Sequence, residues 1–331
     1  MIATVPVELT DAALASDVQD RLKRVEQQLA DATRAEERLL AEASTHLIEA
    51  GGKRFRATLV LLAGQFGDPA DERVVRAATA IELTHLATLY HDDVMDEAPL
   101  RRGHQSANSR WTNTIAILTG DFLFARASKI LAELGADAVR IQADTFTRLV
   151  SGQVAETIGP APGQDPLDHY LYVVKEKTGS LVATAGRYGA MYSDAPADVV
   201  QRIEPACEAI GVAWQLSDDI LDVASDAAQS GKTPGTDLRE GVRSLPVLYA
   251  LRSSRPADAR LRELLDSADL TDQALHAEAL GLLRGNPAMQ QARADLRHWA
   301  GVAREQIEGL PDVPARTAFA GLCDYVVDRT G

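Results

Sequence analysis

Cysteine is almost missing from this chain of 331 residues: only Cys207 and Cys323 occur, and neither sits in a metal-ligand spacing. Two partly buried thiols in a reducing cytoplasm is the reading. Aromatic residues make up only 5% and clusters of β-branched residues are few, while alanine and leucine dominate, which favours helix over sheet. No uncharged apolar stretch reaches the ~18 residues of a transmembrane helix. Residues Met1 to Thr10 lack the basic start and continuous apolar run of a signal peptide. Positive charge is also scarce: 34 Lys and Arg stand against 48 Asp and Glu, a net charge of −14. That argues against nonspecific nucleic-acid binding, which needs a basic face. An acidic chain that handles an anionic substrate must bring cations to it, as placed Lys and Arg or as bound metal. Neither a GxxxxGK(S/T) phosphate loop nor a GxGxxG turn is present, and no Ser-His or Cys-His nucleophile motif appears.

What is present is helical periodicity, segment after segment. Asp11 to Ala30 carries Leu14, Val18, Leu22, Val25 and Leu29 on one stripe. Glu36 to Ala50 stops at Gly51-Gly52, Arg56 to Phe66 ends at Gly67-Asp68-Pro69, and a long buried helix runs from Asp71 to about Glu97. Gly120 to Leu134, Asp137 to Ile158, Pro166 to Met191 and Pro196 to Val223 follow, then a Gly-, Ser-, Thr- and Pro-rich loop from Ser225 to Asp237, then shorter helices to Arg329. No strand-period run is convincing. No composition shift marks a linker, so residues 1–331 are expected to form one helical domain.

Two acidic runs share one spacing: Asp92-Asp93-Val94-Met95-Asp96 and Asp218-Asp219-Ile220-Leu221-Asp222. On a helix, i and i+4 lie on one face, so Asp92 projects with Asp96 and Asp218 with Asp222. Like charges at that spacing repel unless a cation sits between them. Both runs lie inside apolar helices, where carboxylates need metals or partners. Hard oxygen ligands of this kind suit Mg²⁺, which takes one or two carboxylates plus substrate phosphates and water. A solvated helix end would explain one such run; two with identical spacing favour the metal.

Basic residues flank these runs. Lys53, Arg54 and Arg56 follow Gly51-Gly52 and lead into a helix, whose N-terminus itself prefers anions. Arg101-Arg102 follow the first acidic run, Lys177-Thr178 lie in the helix that starts near Pro166, and Lys232 and Arg243 lie in and beyond the loop after the second run. Any one of these alone reads as a surface charge.

Together, from Gly51-Gly52-Lys53-Arg54 through Gly235-Thr236-Asp237-Leu238 to the C-terminal helix, the motifs resemble those of the trans-polyprenyl diphosphate synthases, which are class I isoprenoid synthases. The phrase from His85 to Asp93 is most similar to long-chain, actinobacterial-type members. The resemblance implies an all-α fold, a single large helical bundle with a central substrate cavity. It implies Mg²⁺-dependent condensation of isopentenyl diphosphate with an allylic diphosphate, farnesyl or geranylgeranyl, in a homodimer that makes peripheral membrane contact to release product. Menaquinone side-chain synthesis is the pathway it suggests. By the same resemblance, Asp92, Asp96 and Asp218 would hold Mg²⁺, Asp93 and Asp222 would support them or act through water, and Asp219 completes the catalytic set. Arg101, Lys177, Thr178, Gln215, Lys232 and Arg243 would contact the allylic diphosphate; Lys53, Arg56, His85 and Arg102 would form the isopentenyl diphosphate site.

Ala87 and Thr88, about one turn before Asp92, are expected to set the depth of the product tunnel. Both are small, whereas short-chain members carry a bulky aromatic there. Thr84 and Ile81 come next on that face, the latter roughly 16 Å from Asp92, so a product of about C35 to C50 is expected. The family pattern is broken at Ala57, where proline is common and only the stiffness of the turn should change, and at Arg243-Ser244, where Lys-Thr is usual. A terpene cyclase, a noncatalytic subunit of a two-component synthase and a shorter-chain, geranylgeranyl-type synthase are the alternatives. The first would not be expected to carry both the Gly-Gly-Lys-Arg segment and a second acidic run, and the intact acidic and basic sets speak against the second.

Overall fold

Asp11 accepts a hydrogen bond from Leu14 N at 2.8 Å and so opens α1 (Ala12–Ala32). The stripe read from the sequence, Leu14 to Leu29, is buried. The structure, a computed structural model, describes residues 9–225 and 234–330. Further elements are α2 (Arg38–Glu49), α3 (Phe55–Ala63), α4 (Glu72–Met95), β1 (Leu100–Arg101), β2 (His104–Gln105), α5 (Ala107–Arg110), α6 (Asn113–Leu134), α7 (Ala136–Ile158) and α8 (Pro166–Val174). Then come α9 (Ser180–Tyr192), α10 (Ala197–Ala224), α11 (Thr236–Arg239), α12 (Leu245–Arg252), α13 (Ala259–Ser267), α14 (Gln273–Arg284), α15 (Ala288–Glu308) and α16 (Pro314–Asp328). The fold is all-α, as the composition implies. No helix of the described residues is long and apolar enough to cross a membrane.

The chain divides into two compact units. The first holds the described residues of Met1–Thr147, Leu181–Cys207 and Gln306–Gly321. At its heart is α4, buried nearly all round from Val74 to Tyr90, packed chiefly on α6 and also on α3 and α1. Tyr90 is fully buried and its hydroxyl donates to Ala43 O. The second unit holds Arg148–Ser180, Glu208–Glu305 and the described residues of Leu322–Gly331. In it Trp214 of α10 faces Tyr325 of α16, with ring centroids 6.1 Å apart. Cys207 and Cys323 are both buried and unbonded to each other.

Three local readings need correction. The segment after α4 forms a two-stranded antiparallel hairpin, with Leu100 opposite Gln105 and Arg101 opposite His104; strands of two residues are too short to show a period. Helix α6 starts at Asn113, not Gly120, because Thr112 caps it by accepting from Ile115 N at 3.2 Å. The helix expected from Pro166 to Met191 is broken in its hydrogen bonding by a π-helical turn at Lys175–Gly179.

Candidate active site

In the first unit, Asp92 and Asp96 stand one turn apart at the end of α4, with Asp96 as its C-cap. Asp96 is exposed and Asp92 half-buried. Asp93, turned inward between them, is fully buried. Arg101, on the hairpin, donates from Nε to Asp93 Oδ1 at 2.6 Å. Burial pushes the Asp93 carboxyl up, against the pull of Arg101. Its Oδ2 is buried with no hydrogen bond among the described residues. Arg101, assigned by resemblance to the allylic diphosphate, is thus tied to Asp93.

A second group of cations gathers where α2 turns into α3. Gly51 supplies a left-handed turn at φ +84°. Arg102 donates from Nη1 to Leu47 O at 3.0 Å and also to Gly51 O, so it clasps that turn. Burial lowers the pKa of half-buried His85, and Arg56, Arg102, Arg54 and Arg101, which surround it, lower it further. The imidazole is therefore neutral at pH 7, a hydrogen-bonding group among fixed charges. Arg56 Nε is buried without a hydrogen bond among the described residues, while Lys53 is exposed. Arg56, His85 and Arg102 are brought together in the first unit. Arg54 and Arg102 hold left-handed φ of 47° and 54°, and Glu97 beside the acidic run holds 49°. Such backbone costs about 1–3 kcal/mol per residue and collects at functional sites.

Glu82, unnoticed in the sequence, is the counter-charge to this cluster. It is buried, and Ala57 N donates to its Oε1 at 2.9 Å. The anion preference of the α3 N-terminus is thus already met by the protein. The departure at Ala57 also does more than alter stiffness, since a proline there has no N–H for Glu82. Arg54 is engaged by Glu26 at 2.6 Å.

In the second unit, α10 presents Asp218 half-exposed and Asp219 buried. Tyr170 donates to Asp219 Oδ2 at 2.5 Å, Leu245 N to the same oxygen at 3.1 Å, and Gln215 Nε2 to Oδ1 at 3.1 Å. Thr178 Oγ1 donates to Gln215 Oε1 at 3.3 Å, so Thr178, Gln215 and Asp219 form one chain. Burial raises the Asp219 carboxyl to about 6, and these donors hold it down. Asp222 accepts from Thr236 N and Asp237 N, each at 3.1 Å, which fixes the start of α11. Asp237 is pushed up to about 7 by burial, then by Asp222, Asp219, Glu240 and Asp218.

Lys177 and Thr178 lie in the π-helical turn. Arg148 clamps it, donating from Nε to Glu176 at 2.9 Å and from Nη2 to Glu208 at 2.7 Å. Helix α7 passes so close that a Cβ on Gly152 would fall 2.6 Å from Lys177 N, which only glycine allows. Neither Arg148 nor Gly152 carried a sequence signal, since a lone arginine and a lone helical glycine are ordinary. Lys177 pairs with Glu156. Arg243 pairs with Asp266 at 3.4 Å and is exposed; neither is engaged with an acidic run. Lys232 lies outside the described residues.

Do these residues fit a hard divalent cation? The carboxylates crowded around Asp237 have negative charge in excess, Asp93 Oδ2 is left without a donor, and these groups are all carboxylate oxygens. Among the described residues no three Asp, Glu, His or Cys side chains come close enough to hold an ion alone. An ion here would complete its shell from diphosphate and water.

Fold and site define a helical, prenyl-transferring synthase. The model of the family described as Polyprenyl synthetase matches residues 37–283. Nonaprenyl diphosphate synthase of Mycobacterium tuberculosis is 49% identical over 326 residues, which covers 98% of this chain and 97% of that protein. The structure of geranylgeranyl pyrophosphate synthase from Corynebacterium glutamicum, complexed with calcium and isoprenyl diphosphate, is 42% identical with a TM-score of 0.88, covering 98% of this chain and 100% of that one. Decaprenyl diphosphate synthase from Rhodobacter capsulatus is 32% identical with a TM-score of 0.85, covering 96% and 99%. This chain belongs to the polyprenyl synthetase family and is a prenyltransferase.

Proposed function

We propose that this enzyme is Mg²⁺-dependent and adds isopentenyl diphosphate repeatedly to an allylic diphosphate, farnesyl or geranylgeranyl, making an all-trans product of about C35 to C50. The supporting observation is the pairing of an acidic helix end, Asp92 with Asp96, with the cationic cluster of Arg56, Arg102 and neutral His85 in the same unit. In each cycle the allylic C–O bond breaks and its electrons leave with the diphosphate. The isopentenyl double bond closes a new C–C bond, and a proton is lost to the departing diphosphate. Asp92, Asp96 and Asp218 would hold the magnesium, which would supply charge stabilisation of the leaving group. Arg56, Arg102 and Lys53 bind the isopentenyl diphosphate, His85 donates to it, and Lys177, Thr178 and Gln215 bind the allylic diphosphate. Such fixed charges act without reorganising as the reaction proceeds.

For chain length, the reading rests on Ala87 and Thr88 of α4, which are small and buried. Deeper, Thr84 accepts from Gln142 Nε2 at 2.8 Å. Gln142 lines a half-open, largely apolar groove of about 310 Å³ with Phe124, Leu131 and Phe146, and such space favours a long product. The two units are proposed to act as one catalytic domain within a cytoplasmic homodimer, serving menaquinone side-chain synthesis, with peripheral membrane contact at product release. The test is incubation with farnesyl diphosphate, labelled isopentenyl diphosphate and Mg²⁺, then chromatography of the dephosphorylated products. Products longer than C20 are expected. A halt at C20 would favour the geranylgeranyl-type reading, and no incorporation would overturn the reaction itself.

A further inference from the structure

Beyond the acidic runs, one cation of the second unit is unaccounted for by the reaction. Arg329 follows the end of α16, and its side chain is 12% exposed, whereas that of Asp218 is 50% exposed. The guanidinium donates from Nε to Ser217 Oγ at 2.6 Å and from Nη2 to Trp214 O at 2.9 Å. It stacks over the Trp214 ring at 4.2 Å and lies 5.9 Å from the ring of Tyr325. The same Nη2 is 2.9 Å from Asp218 Oδ1. The next residue is tied as well, for Thr330 O accepts from Arg293 Nη2 at 3.0 Å. A carbonyl, a hydroxyl and two rings seat Arg329 independently of Asp218. It is a fixed positive charge built against that carboxylate, and it stays in place if the carboxylate turns toward another cation.

We propose that Arg329 is a positioning residue that acts through Asp218: it is the resident counter-charge of this carboxylate, and it keeps divalent-cation uptake weak until a diphosphate arrives. This rests on the assignment of Asp218 as a metal ligand. A cation approaching Asp218 meets a unit charge a few ångströms away and must share an oxygen that already accepts a charge-assisted hydrogen bond. A diphosphate brings the negative charge that offsets both cations. Metal and diphosphate then favour one another, and such coupling is reciprocal. The seat also holds Asp218 in one orientation while the site is empty of substrate.

The experiment is titration of the metal-free protein with Mn²⁺ alone, read by electron paramagnetic resonance, on wild type, Arg329→Gln, Arg329→Lys and Asp218→Asn, each first checked for an intact thermal transition. Arg329→Gln should bind Mn²⁺ about tenfold more tightly, within the usual range of coupling between sites. Arg329→Lys keeps the charge and should stay within about twofold of wild type on the same grounds. Asp218→Asn should bind more weakly. If Asp218→Asn weakens binding while Arg329→Gln leaves it unchanged or weaker, the inference about Arg329 is overturned and the metal assignment stands. Tighter binding by Arg329→Lys as well would overturn the charge mechanism. If Asp218→Asn has no effect, the metal assignment fails and takes the inference with it.

Discussion

The Tyr170 hydroxyl and the Asp219 carboxylate meet at 2.5 Å, and with Gln215 and Leu245 N they leave each oxygen of this aspartate with a protein donor. Adjacent residues of one acidic run therefore have different surroundings: Asp218 is half-exposed and paired with Arg329, while Asp219 is an anchor that ties α10 to α8 and to the start of α12. Removing the Tyr170 hydroxyl leaves a buried carboxylate short of its strongest donor.

Tyr170→Phe is thus expected to lower kcat about tenfold, since a hydrogen bond to a charged group is worth ~1.5–3 kcal/mol. The KM for isopentenyl diphosphate should hold, because its proposed ligands belong to the other unit. Steady-state kinetics with each substrate varied checks this; an unchanged kcat would make the contact purely structural.

Asp92→Ala and Asp218→Ala should each depress turnover by about a hundredfold or more, through loss of electrostatic stabilisation of the leaving group. Their stabilities should differ. Asp92→Ala relieves like charges, whereas Asp218→Ala deprives Arg329 of its ion pair. That pair is half-exposed on the carboxylate side, so the loss is about 1 kcal/mol or less. Paired calorimetric scans and turnover in saturating Mg²⁺ test both statements, and near-normal turnover in either variant would remove that residue from the metal site.

Lys53→Ala and Arg102→Ala should both raise the KM for isopentenyl diphosphate more than that for the allylic primer. Only Arg102→Ala should also lower the melting temperature, because Arg102 holds the carbonyls of Leu47 and Gly51. Equal losses for both substrates would show that the two diphosphate sites are divided differently.

Ala87→Tyr should shorten the product while the first condensation continues. The position is buried, and its carbonyl lies 3.1 Å from where a Cβ on Gly120 would stand. The ring must therefore occupy tunnel space or strain the α4–α6 packing, and overpacking costs about 1–3 kcal/mol. Chromatography of products, with a thermal scan as control, separates the two. A variant with a lowered melting temperature and unaltered chain length would take Ala87 out of the tunnel wall.

The helices were legible because their apolar positions recur with the helical period, and the acidic runs because one carboxylate spacing occurs twice inside apolar helices. The sequence could not show what satisfies the buried charges. Glu82 serves Ala57 N from 25 residues away, and Arg329 reaches Asp218 across 111 residues. Neither partner lies at a spacing that local periodicity can reveal. The start of α6 was missed for a different reason: Thr112-Asn113-Thr114 are weak helix formers, and only the Thr112 cap marks the boundary.

The five-residue turn from Lys175 to Gly179 has one consequence for how this chain tolerates change. A π-turn holds one residue more than the α-turn it replaces, and one residue is worth about 100° of rotation along a helix. The turn therefore sets the angular phase of Thr178 against Tyr170 of α8, and both reach α10. Removing one residue before Thr178 would swing it by about a quarter-turn against Tyr170, taking Tyr170 off Asp219 or Thr178 off Gln215. Within this stretch, length is held more tightly than composition.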